Sequence, residues 1–312
     1  MEYRRLGRTG LRVSAMGIGA GGPSRLGQRD NIRSEAESVA LVLRALDAGV
    51  NFIDTAEAYD TEEIVGKAVA QRDRGQIIIS SKKRLRNENI SREQLRAGLH
   101  DSMRRLGTDY IDVYHLHGLH PEQYDYYANE IVPEMRNLQQ KGLIRYIGVT
   151  EHWNDDLRHR MLQRALADGF YDVIMVGFNL LNQGARDAVL RDAIAKDIGV
   201  LIMFAVRRAL SQPDKLKETL GALIESGELD AEDIDLAQPL AFLLEDGAAE
   251  SIPDAAYRFC LAEAGAHVIL SGTGNPAHLD ANLRSFAAPP LPAAHVARLK
   301  RVFSRVWSVT GQ

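Results

Sequence analysis

Four side chains with complementary acid–base chemistry stand at or just beyond the ends of three apolar runs. Asp54 ends VNFID, Lys82 ends QIIISSK, His117 ends YIDVYHLH, and Tyr59 follows Asp54 by five residues. Each residue alone has an ordinary structural role, such as a helix cap, a solvated lysine, a pocket wall or a packed histidine. Their occurrence at the ends of successive runs is what indicates a shared site.

The chemistry of such a cluster is specific. Free tyrosine has a pKa near 10, but an ammonium beside it stabilises the phenolate and lowers that pKa. We therefore predict that Lys82 tunes Tyr59, and that Asp54 is the counter-ion that a buried lysine needs. His117 is expected to hydrogen-bond and orient a substrate oxygen. This set suits a general acid that protonates an oxygen while a carbonyl carbon is reduced.

The elements that must position these residues are eight short apolar runs separated by amphipathic stretches. Alternation of this kind predicts parallel strand–helix–strand units, because runs that are apolar on both faces must be covered on both sides. An open doubly wound sheet and a (β/α)8 barrel both satisfy the pattern. Eight units with polar residues at their ends favour the (β/α)8 TIM barrel. The runs cover 13–19, 50–54, 76–82, 110–117, 144–150, 172–177, 199–204 and 267–271.

Several boundaries follow from cap and turn signals. Ser34 and Gly49 bracket one amphipathic stretch, whereas Ser91 with Gln94 opens the next at capping-box spacing. The first 16 residues predict a β-hairpin that precedes the barrel. We expect a single domain over 1–312, with 207–250 as an inserted, elaborated loop after the seventh strand.

Composition excludes several classes of protein. The 312 residues carry a net charge of −4 and no basic block, so the sequence predicts no nucleic-acid partner. Cys260 is the only cysteine, which rules out an internal disulfide framework. There is neither an apolar signal core nor a run long enough to span a membrane, and we expect a cytoplasmic protein with no membrane association.

Two motifs are tempting but incomplete. GIGAGG (17–22) matches a dinucleotide fingerprint, yet Pro23 follows it and no helical period begins before about Ser34. We interpret it as a loop whose backbone, at Gly21, can approach a ligand. His115 and His117, with His152 as a third ligand, offer a metal-dependent hydrolase as an alternative. Zinc demands more ligands than this strand pair supplies, so no metal is expected.

The chain resembles the aldo-keto reductase family over nearly its whole length. The resemblance runs through YRRLGRTGLRVSAMGIGAGG, NFIDTAEAYD, IIISSKKR, RLGTDYIDVYHLH, KGLIRYIGVT and HVILSGTGNPAHLDANL. It implies a catalytic tetrad at Asp54, Tyr59, Lys82 and His117. The implied reaction is reversible hydride transfer between a nicotinamide cofactor and an aldehyde, ketone or alcohol. Tyr59 would donate the proton in reduction and accept it in oxidation.

The resemblance also implies cofactor contacts, although the residues depart from the family's pattern. Thr150 and Glu151 stand where a serine and an asparagine usually hold the carboxamide, and Met175 replaces a glutamine. Phe204 would stack on the nicotinamide. Arg207, with Arg208 beside it, would contact phosphate by charge.

At the adenosine end the resemblance implies Gly272, Gly274, His278 and Asn282. The basic residue that often meets a 2′-phosphate is missing from this segment, and Arg284 lies near it only in sequence. NADP(H) is the first expectation and NAD(H) the second, with comparable turnover of both.

A second function implied by the family is that of a nicotinamide-binding regulatory subunit with little turnover. The predicted partner is a small carbonyl or alcohol. Trp153 and Tyr124 are candidates for the substrate pocket, because they fall in loops beyond the strand ends.

Overall fold

A two-stranded antiparallel hairpin begins the chain. The computed structural model describes residues 1–29, 32–85 and 88–312. Strands β1 (Tyr3–Arg5) and β2 (Arg12–Ser14) pair with Tyr3 opposite Ser14. Gly10, in the turn between them, has a φ of 67°, which glycine adopts without steric cost. The predicted N-terminal hairpin is therefore confirmed.

Eight parallel strands close into a barrel in the order β10-β3-β4-β5-β6-β7-β8-β9, which confirms the predicted (β/α)8 fold. The first predicted run, 13–19, is divided between the hairpin and the barrel, because the Ser14 hydroxyl bonds the Met16 carbonyl and the chain turns there. The barrel strands are β3 (Met16–Gly19), β4 (Phe52–Asp54), β5 (Ile78–Arg84), β6 (Ile111–Leu119), β7 (Ile144–Glu151), β8 (Val173–Gly177), β9 (Gly199–Met203) and β10 (Val268–Ser271).

Helices surround the barrel, and their caps follow the sequence signals. Ser34 with Glu37 and Ser91 with Gln94 both form complete capping boxes. Gly107 is a left-handed C-cap. The helices are α1 (Glu35–Asp47), α2 (Glu62–Val69), α3 (Arg92–Leu106), α4 (Tyr124–Tyr126), α5 (Val132–Gln140), α6 (Arg160–Asp168), α7 (Arg191–Ala195), α8 (Arg208–Ser211), α9 (Pro213–Glu225), α10 (Ile252–Leu261), α11 (Pro276–Ala287) and α12 (Ala293–Val302). In the described part of the chain, no helix combines the length and the apolar character needed to cross a membrane.

The barrel interior has its own apolar core, separate from the larger layer between strands and helices. Phe52, Ile78 and Val113 lie in the interior core, together with Leu6 from the hairpin connection. Because side chains alternate along a strand, every second residue beyond these positions also faces the barrel axis. Asp54, Lys82 and His117 are all in phase with that face. The fold therefore directs them toward the axis at the carboxyl ends of their strands.

The segment 207–250 contains helices α8 and α9 and three short 3-10 turns. Two ion pairs tie it to the C-terminal part of the chain, Arg301 with Asp233 and Arg305 with Asp230, each at 2.7 Å. We propose that this segment is an insertion in a single-domain barrel.

Candidate active site

Neighbouring strands bring three of the four predicted residues to one end of the barrel. Asp54 ends β4 opposite Ser80 of β5, and on the other side of β5 Arg84 lies opposite His117 of β6. Tyr59 ends the 3-10 turn Glu57–Tyr59 that follows β4. The turn is closed by Asp60 with a left-handed φ of 59°. These contacts place the phenol above the ends of β4, β5 and β6.

The ammonium of Lys82 is fully buried and held by two acceptors. Its Nζ donates to Asp54 Oδ2 at 2.6 Å and to the Thr55 carbonyl at 2.7 Å. Ser80 donates from Oγ to the other carboxylate oxygen of Asp54 at 2.8 Å. The structure therefore has the predicted ion pair, and Ser80 fixes the orientation of its carboxylate.

Tyr59 lies between this ammonium and the histidine. Its hydroxyl is 3.3 Å from His117 Nε2, and the two rings meet edge to face at 87°. Lys82 Nζ lies 4.9 Å from the centre of the Tyr59 ring. Behind the ring, a Cβ added to Gly21 would lie 2.4 Å from Tyr59 Cε2. Gly21, predicted to approach the cofactor, thus has a direct packing role: only glycine leaves room for the phenol.

Burial governs the electrostatics of the phenol. It raises the pKa of Tyr59 above its usual value of 10, and the opposing charge of Lys82 is smaller in effect. The expected lowering of the Tyr59 pKa is therefore wrong for this state, because the sequence does not show how completely the phenol loses water. At neutral pH Tyr59 carries its proton and is ready to act as an acid.

Lys82 and His117, the two neighbours of the phenol, differ in charge. Burial lowers the pKa of Lys82, but Asp54 and Tyr59 together outweigh it, so that the pKa of Lys82 is raised. Burial, with the charge of Lys82, lowers the pKa of His117 to about 3. The ammonium is consequently charged and the imidazole neutral at physiological pH, which lets His117 hydrogen-bond an oxygen without adding charge.

Thr150 and Glu151, the residues predicted to hold the carboxamide, differ in whether they have a hydrogen-bonding group free for it. Thr150 is buried, and its Oγ1 accepts from the Gly118 amide at 2.7 Å, leaving its hydroxyl hydrogen to donate. Glu151 is buried and accepts from the Gly177 amide at 2.7 Å, and its other oxygen lies 2.8 Å from His159 Nδ1. Glu151 is thus committed to β8 and His159. Both carboxylate oxygens have protein partners, which argues against the predicted contact of Glu151 with the carboxamide.

Phe204 has a left-handed backbone conformation, and its ring lies near a guanidinium and an indole. Its φ is 65°, which costs a non-glycine residue about 1 kcal/mol or more. The Arg207 guanidinium lies 3.6 Å from its ring centre, and the Trp153 indole lies parallel to it at 6.2 Å. Arg207 also donates to Thr310 Oγ1 at 2.7 Å and to Asn154 Oδ1 at 3.0 Å, while burial lowers its pKa to about 10. Arg207 therefore supports Phe204 and the C-terminal segment through contacts that the sequence did not reveal.

The predicted adenosine end lies where β10 meets α11. Gly272 and His278 are exposed, and Asn282 donates to Ser271 Oγ at 2.8 Å. Asn275 caps α11 by accepting from the Ala277 amide. A Cβ at Gly274 would lie 2.5 Å from Gly27, so these two loops touch through their backbones.

A cation that the sequence analysis missed lies against this loop. Arg33, which precedes α1, donates from Nε to the Gly274 carbonyl at 3.0 Å and pairs with Glu37 at 3.2 Å. Arg284, the residue near in sequence, belongs to the last turn of α11 and pairs with Glu250 at 3.4 Å. Arg33 could not be found from sequence spacing, because the barrel closure between β3 and β10 is what brings it here.

The two predicted pocket aromatics are not at an open surface. Trp153 is 1% exposed and belongs to the interior core, where a Cβ at Gly177 would lie 2.1 Å from its ring. Tyr124 is fully buried in the outer layer, and its hydroxyl donates to Asp168 of α6 at 2.9 Å. The assignment of Tyr124 to the substrate pocket is wrong. Helix packing explains this tyrosine.

The alternative metal site is not assembled. His115 is fully buried in the barrel, whereas the side chain of His152 is 46% exposed and lies 2.9 Å from Asp155. Among the residues that the structure describes, the only group close enough to share a metal ion is His120, His152 and Asp155, with ligand atoms within 4.8 Å of one another. Neither His115 nor His117 belongs to it.

Sequence comparisons match this chain to one family of known proteins. A model of the Aldo/keto reductase family matches residues 15–303. An aldo-keto reductase of Bacillus subtilis (strain 168) is 30% identical over 304 residues, which is 90% of this chain and 87% of that protein. An L-galactose dehydrogenase of Arabidopsis thaliana is 33% identical over 212 residues, and the match spans 64% of each protein.

A solved structure supports the fold independently. The holo form of an aldo-keto reductase from Bacillus halodurans is similar with a TM-score of 0.74 and covers 97% of this chain and 96% of its own. At 24% identity this likeness concerns the fold alone. The two sequence relatives are named for a reductase and a dehydrogenase, and they lend no support to the regulatory alternative.

Proposed function

We propose, since this chain belongs to the aldo/keto reductase family, that Tyr59 is the acid–base group of its nicotinamide-dependent carbonyl reduction. Family membership makes the chain an oxidoreductase, and the two relatives described above are named as a reductase and a dehydrogenase. The observation that carries the assignment of Tyr59 is its position 3.3 Å from neutral His117 and beside the buried cation of Lys82. No other described tyrosine hydroxyl has this pair of neighbours.

In this mechanism a substrate carbonyl oxygen binds between Tyr59 and His117. His117 donates a hydrogen bond that orients the oxygen, and the Tyr59 hydroxyl gives up its proton as negative charge develops there. Lys82 then stabilises the phenolate, while Asp54, held by Ser80, keeps the ammonium in place. A nicotinamide held in this site would supply the hydride. In oxidation the phenolate takes the proton back from the alcohol.

The residues present fit a dinucleotide, although some contacts of the family's pattern are missing. Thr150 retains a hydroxyl hydrogen for the carboxamide. Phe204 presents a half-buried ring, although the Arg207 guanidinium lies against one of its faces. The cap of α11 and the exposed His278 suit an anionic phosphate, since a helix N-terminus favours negative charge. At the carboxamide, neither Glu151 nor the buried Met175 provides a contact. Binding therefore depends more on the adenosine end than the family pattern implies.

We further propose that NADP(H) and NAD(H) are both used, with comparable turnover. Arg33 provides one cation for a 2′-phosphate, but its Nε is committed to Gly274 and it shares its charge with Glu37. A preference of several orders of magnitude would need a cation without such partners. An observed kcat/KM ratio above about 1,000 in favour of NADPH would overturn this proposal.

The proposed role of Arg33 in cofactor choice is tested by Arg33→Met, with Arg72→Met as the control variant. Arg72 pairs with Asp47 on the barrel's outer surface and offers the same loss of charge. The ratio of kcat/KM for NADPH to that for NADH should fall about tenfold in the Arg33 variant, as for one lost charge-assisted contact, and stay constant in the Arg72 variant. Equal ratios in both variants would remove Arg33 from cofactor choice.

The activity itself is tested by following absorbance at 340 nm with NADPH or NADH and a panel of carbonyls, including 4-nitrobenzaldehyde. The reverse reaction is followed with sugars, including L-galactose, and simple alcohols. Reduction of at least one carbonyl is expected. Tight cofactor binding measured by fluorescence, with no consumption across the whole panel, would instead support the regulatory function.

A further inference from the structure

Three consecutive cations end β5, and their partners differ. Lys82 is paired with Asp54, and Lys83 Nζ lies 2.8 and 3.0 Å from the two oxygens of Glu57. Arg84 uses its backbone amide to donate to Glu57 at 3.1 Å. Its guanidinium makes no ion pair or hydrogen bond within the described ranges 1–29, 32–85 and 88–312. One of the three charges is thus left without a protein counter-ion.

The strand geometry places Arg84 at the mouth of the active site. Ile78 belongs to the interior core, and the alternation of side chains turns Ser80, Lys82 and Arg84 toward the same face. Arg84 is therefore two residues above Lys82, about 6–7 Å further along the strand. It is the register partner of His117 on β6. Its charge also contributes to the low pKa of His117, which agrees with this proximity.

Three acidic groups of the loops beyond these strands have partners of their own. Glu57 holds Lys83, Asp60 lies 2.9 Å from Arg25, and Asp155 lies 2.9 Å from His152. The exposed guanidinium of Arg84, which lies beside His117 in the strand register, is therefore left available to a ligand by these three acidic groups. A planar guanidinium matches a carboxylate with two parallel hydrogen bonds.

We propose that Arg84 binds the carboxylate of an acidic carbonyl substrate whose carbonyl oxygen is held by Tyr59 and His117. The inference rests on the proposed reductase function and names its substrate class: oxo acids and aldehyde acids. A carboxylate suits this position better than a phosphate, because a doubly charged group with three acceptor oxygens would require further donors. Arg84 would act in binding and orientation, and Tyr59 in the chemistry.

The test compares acidic carbonyls with neutral counterparts of similar reach: glyoxylate with glycolaldehyde, and 4-carboxybenzaldehyde with 4-nitrobenzaldehyde. The full-length enzyme is assayed as wild type, Arg84→Met, Arg84→Lys and Arg104→Met. Arg104 is an exposed residue of α3, paired with Asp101, and controls for the change in net charge. The saturating nicotinamide cofactor is the same throughout.

Arg84→Met should lower kcat/KM for the acidic member of at least one pair by about 10- to 100-fold, the usual loss for a charge-assisted hydrogen bond. The neutral member should change by less than about twofold, most of the loss should appear in KM, and Arg84→Lys should recover part of it. Arg104→Met should leave both ratios unchanged. Unchanged ratios in the Arg84 variant, with neutral carbonyls still reduced, would overturn this inference alone. No turnover of the four carbonyls, with other carbonyls of the panel still reduced, would also overturn this inference alone. No turnover across the whole panel would overturn the reductase function and this inference with it.

Discussion

Replacing Lys82 with methionine removes the buried positive charge while keeping most of the side-chain volume. With the ammonium 4.9 Å from the centre of the Tyr59 ring, the loss of its attraction for the phenolate is about 3 kcal/mol at an effective dielectric constant of about 20. In the proposed mechanism the phenolate forms as the hydride is transferred. The lost attraction therefore corresponds to about a 100-fold slower hydride-transfer step.

The same substitution also affects folding, and the two effects must be separated. Asp54 is 3% exposed and would lose its counter-ion, which costs about 3–5 kcal/mol in the free energy of unfolding when a buried pair is broken. The matched variant is Asp54→Asn combined with Lys82→Met. Asparagine keeps an oxygen for Ser80 and carries no charge, so the double variant should recover most of the lost stability.

The assay is single-turnover hydride transfer followed at 340 nm, which product release does not mask, with urea unfolding measured in parallel. Both variants should show about the same 100-fold loss in rate, although only the single variant is strongly destabilised. A double variant that regains the wild-type rate to within about threefold would refute the reasoning. The ammonium would then matter for folding only.

Three further predictions concern the surroundings of this pair. Gly21→Ala should lower kcat at least tenfold by displacing the Tyr59 ring, with cofactor affinity within about twofold of wild type; an unchanged kcat would contradict the packing argument. Glu151→Gln should lower the free energy of unfolding by about 2–4 kcal/mol, because it breaks a buried pair with His159, and should change the cofactor Kd little; a large Kd effect at constant stability would restore the carboxamide role. The folded-state pKa of His117, about 3, lies below its unfolded value, so its contribution to stability is present above pH 6.5 and is lost as pH falls. The unfolding free energy in urea should therefore decrease by up to about 1.4 kcal/mol per pH unit more in the wild type than in His117→Gln between pH 6 and 4; equal slopes would argue against a neutral buried imidazole.

The barrel and its four central residues could be predicted because both depend on local patterns. Period-two alternation in IIISSKK fixes which side of β5 carries Lys82, and the same alternation could have identified Ser80 and Arg84 as residues of the active face. Capping boxes at Ser34 and Ser91 likewise depend on residues only three positions apart. Signals of this kind survive in a single sequence.

The remaining features depend on contacts between distant segments. Arg33 meets Gly274 only after the barrel closes, and Glu151 turns to His159 because both are buried together. Tyr124 was predicted to lie in a loop, and yet it packs between helices. The sign of the pKa shift of Tyr59 depends on the balance between burial and one charge. Sequence spacing carries no information on that balance, which explains why its direction was predicted incorrectly.

The proposed role of Tyr59 as the proton donor is tested most directly by Tyr59→Phe. Phenylalanine keeps the ring against Gly21 and removes only the hydroxyl that lies 3.3 Å from His117. The single-turnover rate of carbonyl reduction should fall by about 100- to 10,000-fold, the usual contribution of a positioned general acid, while the cofactor Kd stays within about twofold. A rate within tenfold of the wild type would show that another group delivers the proton and would contradict the role assigned to Tyr59.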